Sequence, residues 1–387
     1  MPGQALFHAL LPGDRSVERS EVARSQRDRF GADAMSPSAP FFLPPVIYDP
    51  HGFGVANVSV AIADVNGDGK PDLLVANRFA CFSCAPIPNG SVAVLLGNGD
   101  GTFQSAVTYD SGATETESLV VADVNGDGKL DVVVGNQCGG CSFGGVGVLL
   151  GNGDGTLQTV VTYPLVFGGA EKIVVADVNG DGKLDVLALG FCVGAHCTNF
   201  ASDGAVTVLL GSGDGTFEEN GSTYDSGGRQ AESLAVADVN ADGKPDLLVA
   251  NQCTNKGCTQ EFHGVVGVLL GNGDGTFQPA VDYSGGNHTS GVAIADVNGD
   301  GKLDVLEVDV GSGAGVLLGN GDGTFQQRVG YDTGRIHWCV PGGRGSKSRR
   351  QTGSCRRECG FFEHSSCAAG QWRRHIPSSS DPSRKRP

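Results

Sequence analysis

Short runs of apolar and β-branched residues, separated by glycine, aspartate and asparagine, recur along most of the chain. In the stretch that begins near residue 58, four such runs read VSVAIAD, DLLVAN, SVAVLLG and QSAVTYD. Runs of this length that are bounded by turn residues are typical of β-strands. The second and third runs are continuously apolar, which predicts strands buried on both faces. The fourth alternates, which predicts a half-exposed edge strand.

The same order of runs returns five times, and two turn phrases mark each copy. ADVNGDGKPDLLVAN begins at residue 63, and the first aspartate of its near-copies falls at residues 123, 177, 238 and 296. LLGNGDGTF begins at residue 95 and recurs at residues 149, 209, 269 and 317 with small changes. Four antiparallel strands per unit without helices are typical of a β-propeller blade. We therefore predict an all-β propeller with five in-frame four-stranded blades, truncated from six or seven. A stacked solenoid is the alternative, but its repeats are usually shorter.

The repeats span residues 41–333, and the segments on either side differ in composition. Residues 1–40 lack the pattern and are predicted to be disordered, and their short apolar piece lacks the flanks of an export signal. FFLPPVIYD at 41–49 resembles a lone fourth strand, which would complete the last blade where a propeller closes. Residues 334–387 are rich in arginine, cysteine and serine and are also predicted to be disordered.

The tail has a second interpretation, namely that it is the repeat translated in a shifted reading frame. With suitable codons, RRQTGSCRRE at 349–358 becomes DGKPDLVVAN one base along, and GQWRRHI at 370–376 becomes GNGDGTF. Both decoded phrases belong to the repeat, and they appear in the right order. We prefer this hypothesis to a basic interaction tail, so the cysteines and basic residues of the tail carry no functional prediction.

Charge separates the repeats from the tail. Residues 41–330 contain 10 Lys and Arg against 34 Asp and Glu, whereas residues 331–387 contain 12 against 4. A strongly acidic body argues against nucleic acid and anionic membranes as partners, because both attract positive surfaces, and it favours cations. No apolar run approaches the roughly 18 residues that would cross a bilayer, so no membrane insertion is expected.

The aspartate-rich phrase carries the candidate chemistry. In DVNGDGKPD, oxygen-bearing side chains occupy positions 1, 3, 5 and 9, the carbonyl of position 7 adds another oxygen, and glycine at position 6 permits a sharp turn. Hard divalent cations bind about six to eight oxygens, so the pattern predicts weak Ca²⁺ binding with water in the shell. The predicted ligands are Asp64, Asn66, Asp68, Lys70 and Asp72; Asp123, Asn125, Asp127, Lys129 and Asp131; Asp177, Asn179, Asp181, Lys183 and Asp185; Asp238, Asn240, Asp242, Lys244 and Asp246; and Asp296, Asn298, Asp300, Lys302 and Asp304.

Other interpretations of the two phrases stay open. The aspartate loops are alternatively Asx-rich hairpin turns, although a turn alone does not need the acid at position 9. Magnesium fits flexible loops less well, because it demands near-octahedral geometry. GNGDGT is interpreted as a plain hairpin turn rather than a phosphate nest, since no lysine follows it to meet a phosphate.

The aspartate loops match the metal-binding hairpins of the FG-GAP/VCBS repeat family. Over about residues 41–333 the chain resembles the blades of integrin α-subunit propellers, on the strength of the five-fold DVNxDGxxD and GxGDGT phrases. The resemblance implies a β-propeller whose loops bind calcium. The sequence departs from the integrin pattern in having asparagine at position 3 and in lacking an FG-GAP pentapeptide. The adhesive surface of integrins is therefore not implied.

Eight in-frame cysteines form close pairs in the insertion that follows the second strand of a unit. Equivalent loops of different blades lie too far apart for a shared zinc site, and no helix N-terminus is predicted that would activate a CxxC motif. Local disulfides in an oxidising compartment are the best interpretation. The pairs are Cys81/Cys84, Cys138/Cys141, Cys192/Cys197 and Cys253/Cys258.

The functional prediction is a secreted or cell-surface module that binds an unidentified protein or glycan. Its insertions vary while its scaffold does not, as expected for recognition loops on a rigid frame. No nucleophile–base arrangement stands out, so neither catalytic residues nor enzyme activity are predicted. One alternative is a propeller enzyme or accessory domain acting on polysaccharide, which carboxylates and histidines clustered in the central channel would favour. A structural spacer is another. The loop histidines are His51, His196, His263 and His288.

Overall fold

The computed structural model describes residues 57–78, 90–137, 144–165, 169–190, 203–219, 221–254, 263–310 and 313–333. The chain divides into two units after Arg335, and all described residues belong to the first. The predicted strand at 41–49 and the segments 1–40 and 334–387 lie outside the described residues. The described residues form β-strands and turns, and none of them belongs to a helix long and apolar enough to cross a membrane.

Five antiparallel blades follow one another along the chain, as predicted. The first blade contains β1 (Asn57–Ala63), β2 (Asp72–Asn77), β3 (Ser91–Leu95) and β4 (Val107–Asp110). The second contains β5 (Glu115–Ala122), β6 (Asp131–Gln137), β7 (Gly145–Leu149) and β8 (Val161–Pro164). The third begins with β9 (Lys172–Ala176), β10 (Asp185–Gly190) and β11 (Asp203–Leu209), followed by β12 (Ser222–Ala237). The fourth shares β12 and continues with β13 (Asp246–Thr254), β14 (Val265–Leu269) and β15 (Val281–Ser284). The fifth contains β16 (Thr289–Ala295), β17 (Asp304–Asp309), β18 (Gly313–Leu317) and β19 (Val329–Tyr331).

Strand β12 joins two blades into one seven-stranded sheet, while the other three blades form separate four-stranded sheets. Its first part, Ser222–Asp225, pairs with β11 as the outer strand of the third blade. Its second part, from residue 228 to Ala237, pairs with β13 as the inner strand of the fourth. One continuous strand therefore forms the outer edge of one blade and the inner strand of the next.

Burial follows the predicted pattern. The central strands are covered on both faces, and every residue of β3, β7 and β14 is buried. The fourth strands β4, β8, β15 and β19 are mostly exposed. The first strands β1, β5, β9, β12 and β16 contact one another from blade to blade, which places them innermost, as in a propeller.

Each pair of neighbouring blades shares one hydrophobic cluster. Between the first and second blades, Leu74 and Val94 pack with Val132 and Leu149. The equivalent positions form the clusters between the other neighbours. We call the side of a blade that meets the next blade its forward face, and the opposite side its backward face. The propeller is thus stabilised mainly by apolar contacts between successive forward and backward faces.

Aromatic rings reinforce three of these junctions. Each is a T-shaped pair between a tyrosine of an outer strand and a phenylalanine of the GxGDGTF turn in the next blade, with ring centroids 5.3–5.7 Å apart. Such edge-to-face pairs add about 0.5–1.5 kcal/mol beyond their buried area. The pairs are Tyr163 with Phe217, Tyr224 with Phe277, and Tyr283 with Phe325.

Candidate functional site

Each aspartate-rich loop joins the first and second strands of a blade. In the first loop, Asp64 Oδ2 accepts a hydrogen bond from the backbone N–H of Gly69 at 2.8 Å. Asn66 Oδ1 accepts one from the N–H of Asp68 at 3.0 Å, and Asp68 Oδ1 accepts one from the N–H of Lys70 at 2.9 Å. The same three kinds of bond recur in the other four loops. They curl the backbone, so positions 1, 3 and 5 lie together on one exposed turn.

Position 4 of the loop requires a backbone conformation that suits glycine. Gly67 in the first loop has φ of 72°, and the equivalent glycines of the second, third and fifth loops have φ between 72° and 77°. The fourth loop has Ala241 at this position with φ of 60°. An L-residue in the left-handed region costs about 1–2 kcal/mol, so the fourth loop is the strained one.

Replacing Ala241 by glycine is therefore expected to stabilise the protein by about 0.5–1 kcal/mol, because the relief of strain outweighs the entropy that glycine adds to the unfolded chain. Urea unfolding at equilibrium measures the change. The matched reverse variant is Gly180→Ala in the third loop, which should destabilise by a similar amount. A lower midpoint for Ala241→Gly than for the parent would contradict the assignment of strain.

The aspartate at position 9 has a different role from the other acids. Asp72 is fully buried, its Oδ2 accepts the N–H of Val65 at 2.9 Å, and its Oδ1 accepts the N–H of Gly97 at 2.7 Å. It thereby ties the aspartate loop to the GxGDGT turn of the same blade. The same pair of bonds is made by Asp131, Asp185, Asp246 and Asp304.

The structure thus brings together only part of the predicted ligand set. Positions 1, 3 and 5 share the exposed turn, whereas position 9 is buried with both oxygens bound to the main chain. Across the described ranges, no three side chains of Asp, Glu, His or Cys converge as a metal-binding group. The acid at position 9 therefore has a structural explanation, and calcium binding by positions 1, 3, 5 and 7 stays a prediction.

Electrostatics leaves each loop with unbalanced negative charge. The backbone N–H of Lys70 holds the pKa of Asp68 below its usual range, and the Lys70 ammonium lies 3.2 Å from Asp68 Oδ2. Burial raises the pKa of Asp131, and repulsion from Asp123 and Asp127 raises it further. Three carboxylates with one lysine give each loop a net charge of about −2, which a divalent cation would offset.

The GxGDGT phrase forms the predicted hairpin turn between the third and fourth strands. Asp100 Oδ1 accepts bonds from the N–H and the hydroxyl of Thr102, at 2.9 and 2.6 Å. The N–H of Asn98 donates to the Thr102 carbonyl at 2.9 Å. Because the aspartate is occupied within its own turn, the phrase needs no bound ion to explain its residues.

Sequence reasoning missed a group of glutamates at the inner strands. Glu117, Glu171 and Glu232 each precede the first aspartate of a repeat by the same number of residues, and they belong to three successive blades. Burial, followed by the neighbouring Glu232 and Glu117, raises the pKa of Glu171 to about 8. Arg78 forms an ion pair with Glu117, and Gln252 Nε2 donates to Glu232 Oε1 at 2.5 Å. Their shared offset from the aspartate phrase was the available signal.

Most of the predicted cysteine and histidine features lie outside the described residues. Of the eight paired cysteines only Cys253 is described, and it is disulfide-bonded. The pairing with Cys258 and the other three pairs stay predictions. His263 and His288 are described and each has an interaction partner, whereas His51 and His196 fall outside the described ranges.

The two repeated phrases and the five blades point to a known family. A model of the FG-GAP-like repeat matches residues 79–134, 138–188, 197–249 and 258–307, more than half of the 387 residues, and the FG-GAP repeat matches residues 56–83. The chain belongs to the FG-GAP-like repeat family. In this FG-GAP-like β-propeller, most matched units begin after the second strand of one blade and end near the second strand of the next, so a family unit straddles a blade junction.

Solved structures resemble the FG-GAP-like chain only distantly, and no curated protein matches it. A functionally unknown protein from Desulfotomaculum acetoxidans DSM 771 is 13% identical with a TM-score of 0.45, over 72% of this chain and 71% of the other. CoXyl43, a GH43 β-xylosidase/α-arabinofuranosidase from a compost microbial metagenome, is 12% identical with a TM-score of 0.37, over 72% and 96%. The V. cholerae biofilm matrix protein Bap1 is 19% identical with a TM-score of 0.32, over 65% and 45%. The fold assignment rests on the blades and the family match, not on these similarities.

Proposed function

We propose that this FG-GAP-like propeller is an extracellular binding module whose five aspartate loops hold Ca²⁺. The observation that carries the proposal is the five-fold exposed turn in which two aspartates and an asparagine share one curled backbone. Such a turn presents hard oxygen ligands with excess negative charge, which suits a hard divalent cation. Each site would use the side chains of positions 1, 3 and 5 and the carbonyl of position 7.

The residues present fit weak calcium binding. The lysine that pairs with position 5 is about 45% exposed in the first four loops, and such surface ion pairs contribute only about 0–1 kcal/mol, so a cation would displace it readily. Because position 9 is withdrawn into the core, the protein supplies few oxygens and water must complete the coordination. Affinities of about 10⁻⁴ to 10⁻³ M follow, which match calcium levels outside cells.

The ligand-binding surface is assigned to the cysteine-bearing insertions. In an antiparallel blade, the loops between strands 1 and 2 and between strands 3 and 4 lie at one end, and the loop between strands 2 and 3 lies at the other. The insertions therefore connect strand ends that lie opposite the aspartate loops. The disulfide at Cys253 supports an oxidising, extracytoplasmic location. The partner class is a protein or glycan, since the acidic body disfavours nucleic acid.

Calcium removal is the direct test of the metal sites. At millimolar Ca²⁺, several weakly occupied sites should raise the melting temperature by roughly 5–15 °C relative to EDTA, because the cation binds only the folded loops. Isothermal titration should give close to one ion per loop. Asp123→Asn with Asp127→Asn should remove one site, whereas the control Asp154→Asn in a GxGDGT turn should remove none. An identical melting temperature in calcium and in EDTA would contradict the proposed metal sites.

Recognition by the insertions is tested separately. Glycan arrays and pull-downs against extracellular proteins would be run in calcium, with a control protein in which each insertion is replaced by the short connection between β17 and β18 of the fifth blade. Binding that is lost in the control while its melting temperature is retained would support the proposal. Equal binding by both proteins would place recognition elsewhere on the propeller.

A second candidate function, hydrolysis of polysaccharide, is favoured by one observation. The pKa of Glu171, raised to about 8 by burial, keeps this inner-strand carboxyl protonated at neutral pH near two further glutamates. A protonated carboxyl near further acidic side chains is the arrangement that glycosidases use. A panel of aryl glycosides would be assayed with the parent and with Glu171→Gln. Turnover that Glu171→Gln abolishes would support this function, and no turnover on any substrate would reject it.

A further inference from the structure

At the two ends of the described blades, parts of two faces that are buried at every internal junction are exposed. Val297, on the forward face of the fifth blade, is 48% exposed, whereas its equivalents in the other blades are at most 4% exposed. Val60, on the backward face of the first blade, is 63% exposed, whereas its equivalent Leu119 is 6% exposed. Each face is therefore one half of a junction that the chain forms four times within itself.

The two exposed faces carry the positions that make the internal junctions. On the fifth blade, Leu306 and Val308 stand where Leu74 and Ala76 of the first blade pack against the second. Tyr331 is exposed, although it occupies the tyrosine position of the T-shaped pairs. The first blade supplies the backward positions Val60 and Ile62 on its inner strand, which are 63% and 71% exposed. A forward face and a matching backward face are thus both present in one chain.

The chemistry at the rim of the two faces also matches. At the junction of the first two blades, Arg78 pairs with Glu117. The residues equivalent to these two at the exposed ends are Val310 on the fifth blade and Val58 on the first. The ion pair inside the chain is therefore replaced by two apolar residues, of which Val310 is 59% exposed and Val58 is half-buried against the cluster between the first two blades. Val58 and Val60 also line a groove with Ser59 and Val75, which is open to receive a neighbour.

We propose that two copies of this chain associate head to tail through these faces. The forward face of the fifth blade in one copy packs on the exposed inner strand β1 at the backward face of the first blade in the other, with the inner-strand contacts of an internal blade junction. A second copy is the occupant that the structure favours, because the chain itself supplies both complementary halves of a junction already used four times. The interface is heterologous, so each copy keeps one unused face for further growth.

Sedimentation and light scattering of the full chain over micromolar to hundred-micromolar concentrations test the proposal. The mass of the parent protein should rise with concentration beyond one chain. Ile62→Lys on the backward face and Val308→Lys on the forward face should each weaken association about 100-fold or more, because each buries an unpaired charge. Val161→Lys on β8, at a site that is also about half exposed, is the matched control and should associate like the parent.

Mixing the two defective variants identifies the geometry. Ile62→Lys retains a good forward face and Val308→Lys retains a good backward face, so the mixture should form dimers and stop at two chains. Val60→Lys and Val310→Lys replace either variant if its circular dichroism shows that it is unfolded. Association of one variant with itself would mean same-face pairing and would overturn the proposal. A parent protein that stays monomeric at every concentration would also overturn it, and would leave the faces to a further blade or to a different protein.

Discussion

Replacing Arg328 by alanine is expected to destabilise the protein by about 3–5 kcal/mol, because it leaves two buried carboxylates without their cationic partner. Arg328 Nε donates to Glu307 Oε1 at 2.5 Å, and its Nη2 donates to Asp309 Oδ2 at 2.8 Å. Both acidic side chains are completely buried, and burial raises the pKa of Glu307. Gly315 makes room for this network, since a Cβ there would lie 2.2 Å from Glu307 Oε1. Equilibrium urea unfolding at neutral pH measures the loss.

The other blades supply the matched control. Where the fifth blade has this network, the fourth has Val249, Asn251 and Ala280 around a glycine, Gly267. The triple variant Glu307→Val, Asp309→Asn and Arg328→Ala restores that set, and it should be as stable as the parent or more stable, since replacing a buried ion network by apolar residues is often favourable. The Arg328→Ala loss should shrink at pH 4, where protonated carboxyls no longer need the guanidinium. A small loss of stability on Arg328→Ala at pH 7 would contradict this account. So would a triple variant that is as unstable as Arg328→Ala alone.

The second large effect is expected at position 9 of the aspartate phrase. Asp246→Ala leaves two buried backbone donors without an acceptor, namely the N–H of Val239 and the N–H of Gly271, which Asp246 accepts at 2.9 and 2.8 Å. Each buried donor without an acceptor costs about 1–3 kcal/mol, so the free energy of unfolding is expected to fall by about 2–5 kcal/mol. Asp246→Asn keeps one acceptor and should lose about half as much. Denaturant midpoints in EDTA provide the measurement.

Calcium separates the structural role of Asp246 from a role as metal ligand. Because its oxygens bind the main chain, the loss on Asp246→Ala should be similar in EDTA and in millimolar Ca²⁺. The matched control is Asp242→Asn at position 5, which is exposed and should destabilise appreciably only when calcium is present. If the Asp246→Ala loss disappears in EDTA, position 9 acts through the metal and the structural assignment is wrong.

The strands and turns were predictable because their signals are local. DLLVAN becomes β2 because a continuous apolar run suits a strand covered on both sides, and burial of that strand confirms it. The glycines of GNGDGT mark a turn because Gly99 and Gly101 take φ above 80°. Five copies of each phrase also made the number of in-frame blades plain. Each of these features depends on a few neighbouring residues.

The features that escaped prediction depend on partners far along the chain. The role of Asp72 requires the N–H of Gly97, which no spacing rule supplies before the blade is folded. Glu117 and Glu232 influence the pKa of Glu171 only because inner strands of successive blades lie together. Strand β12 runs through Gly227 and Gly228 from one blade into the next, since pairing with β11 and then β13 outweighs the turn propensity of glycine.

The uninterrupted strand β12 gives the propeller an uneven mechanical character. Loops separate the other pairs of adjoining blades, so strain on one can relax before it reaches its neighbour. No loop separates the third and fourth blades. A force on the outer edge of the third blade is therefore transmitted along the backbone of Ser222–Ala237 to the inner strand of the fourth. Under force or on heating, the third and fourth blades should unfold together as one cooperative unit. They should unfold last, after the terminal blades have unfolded.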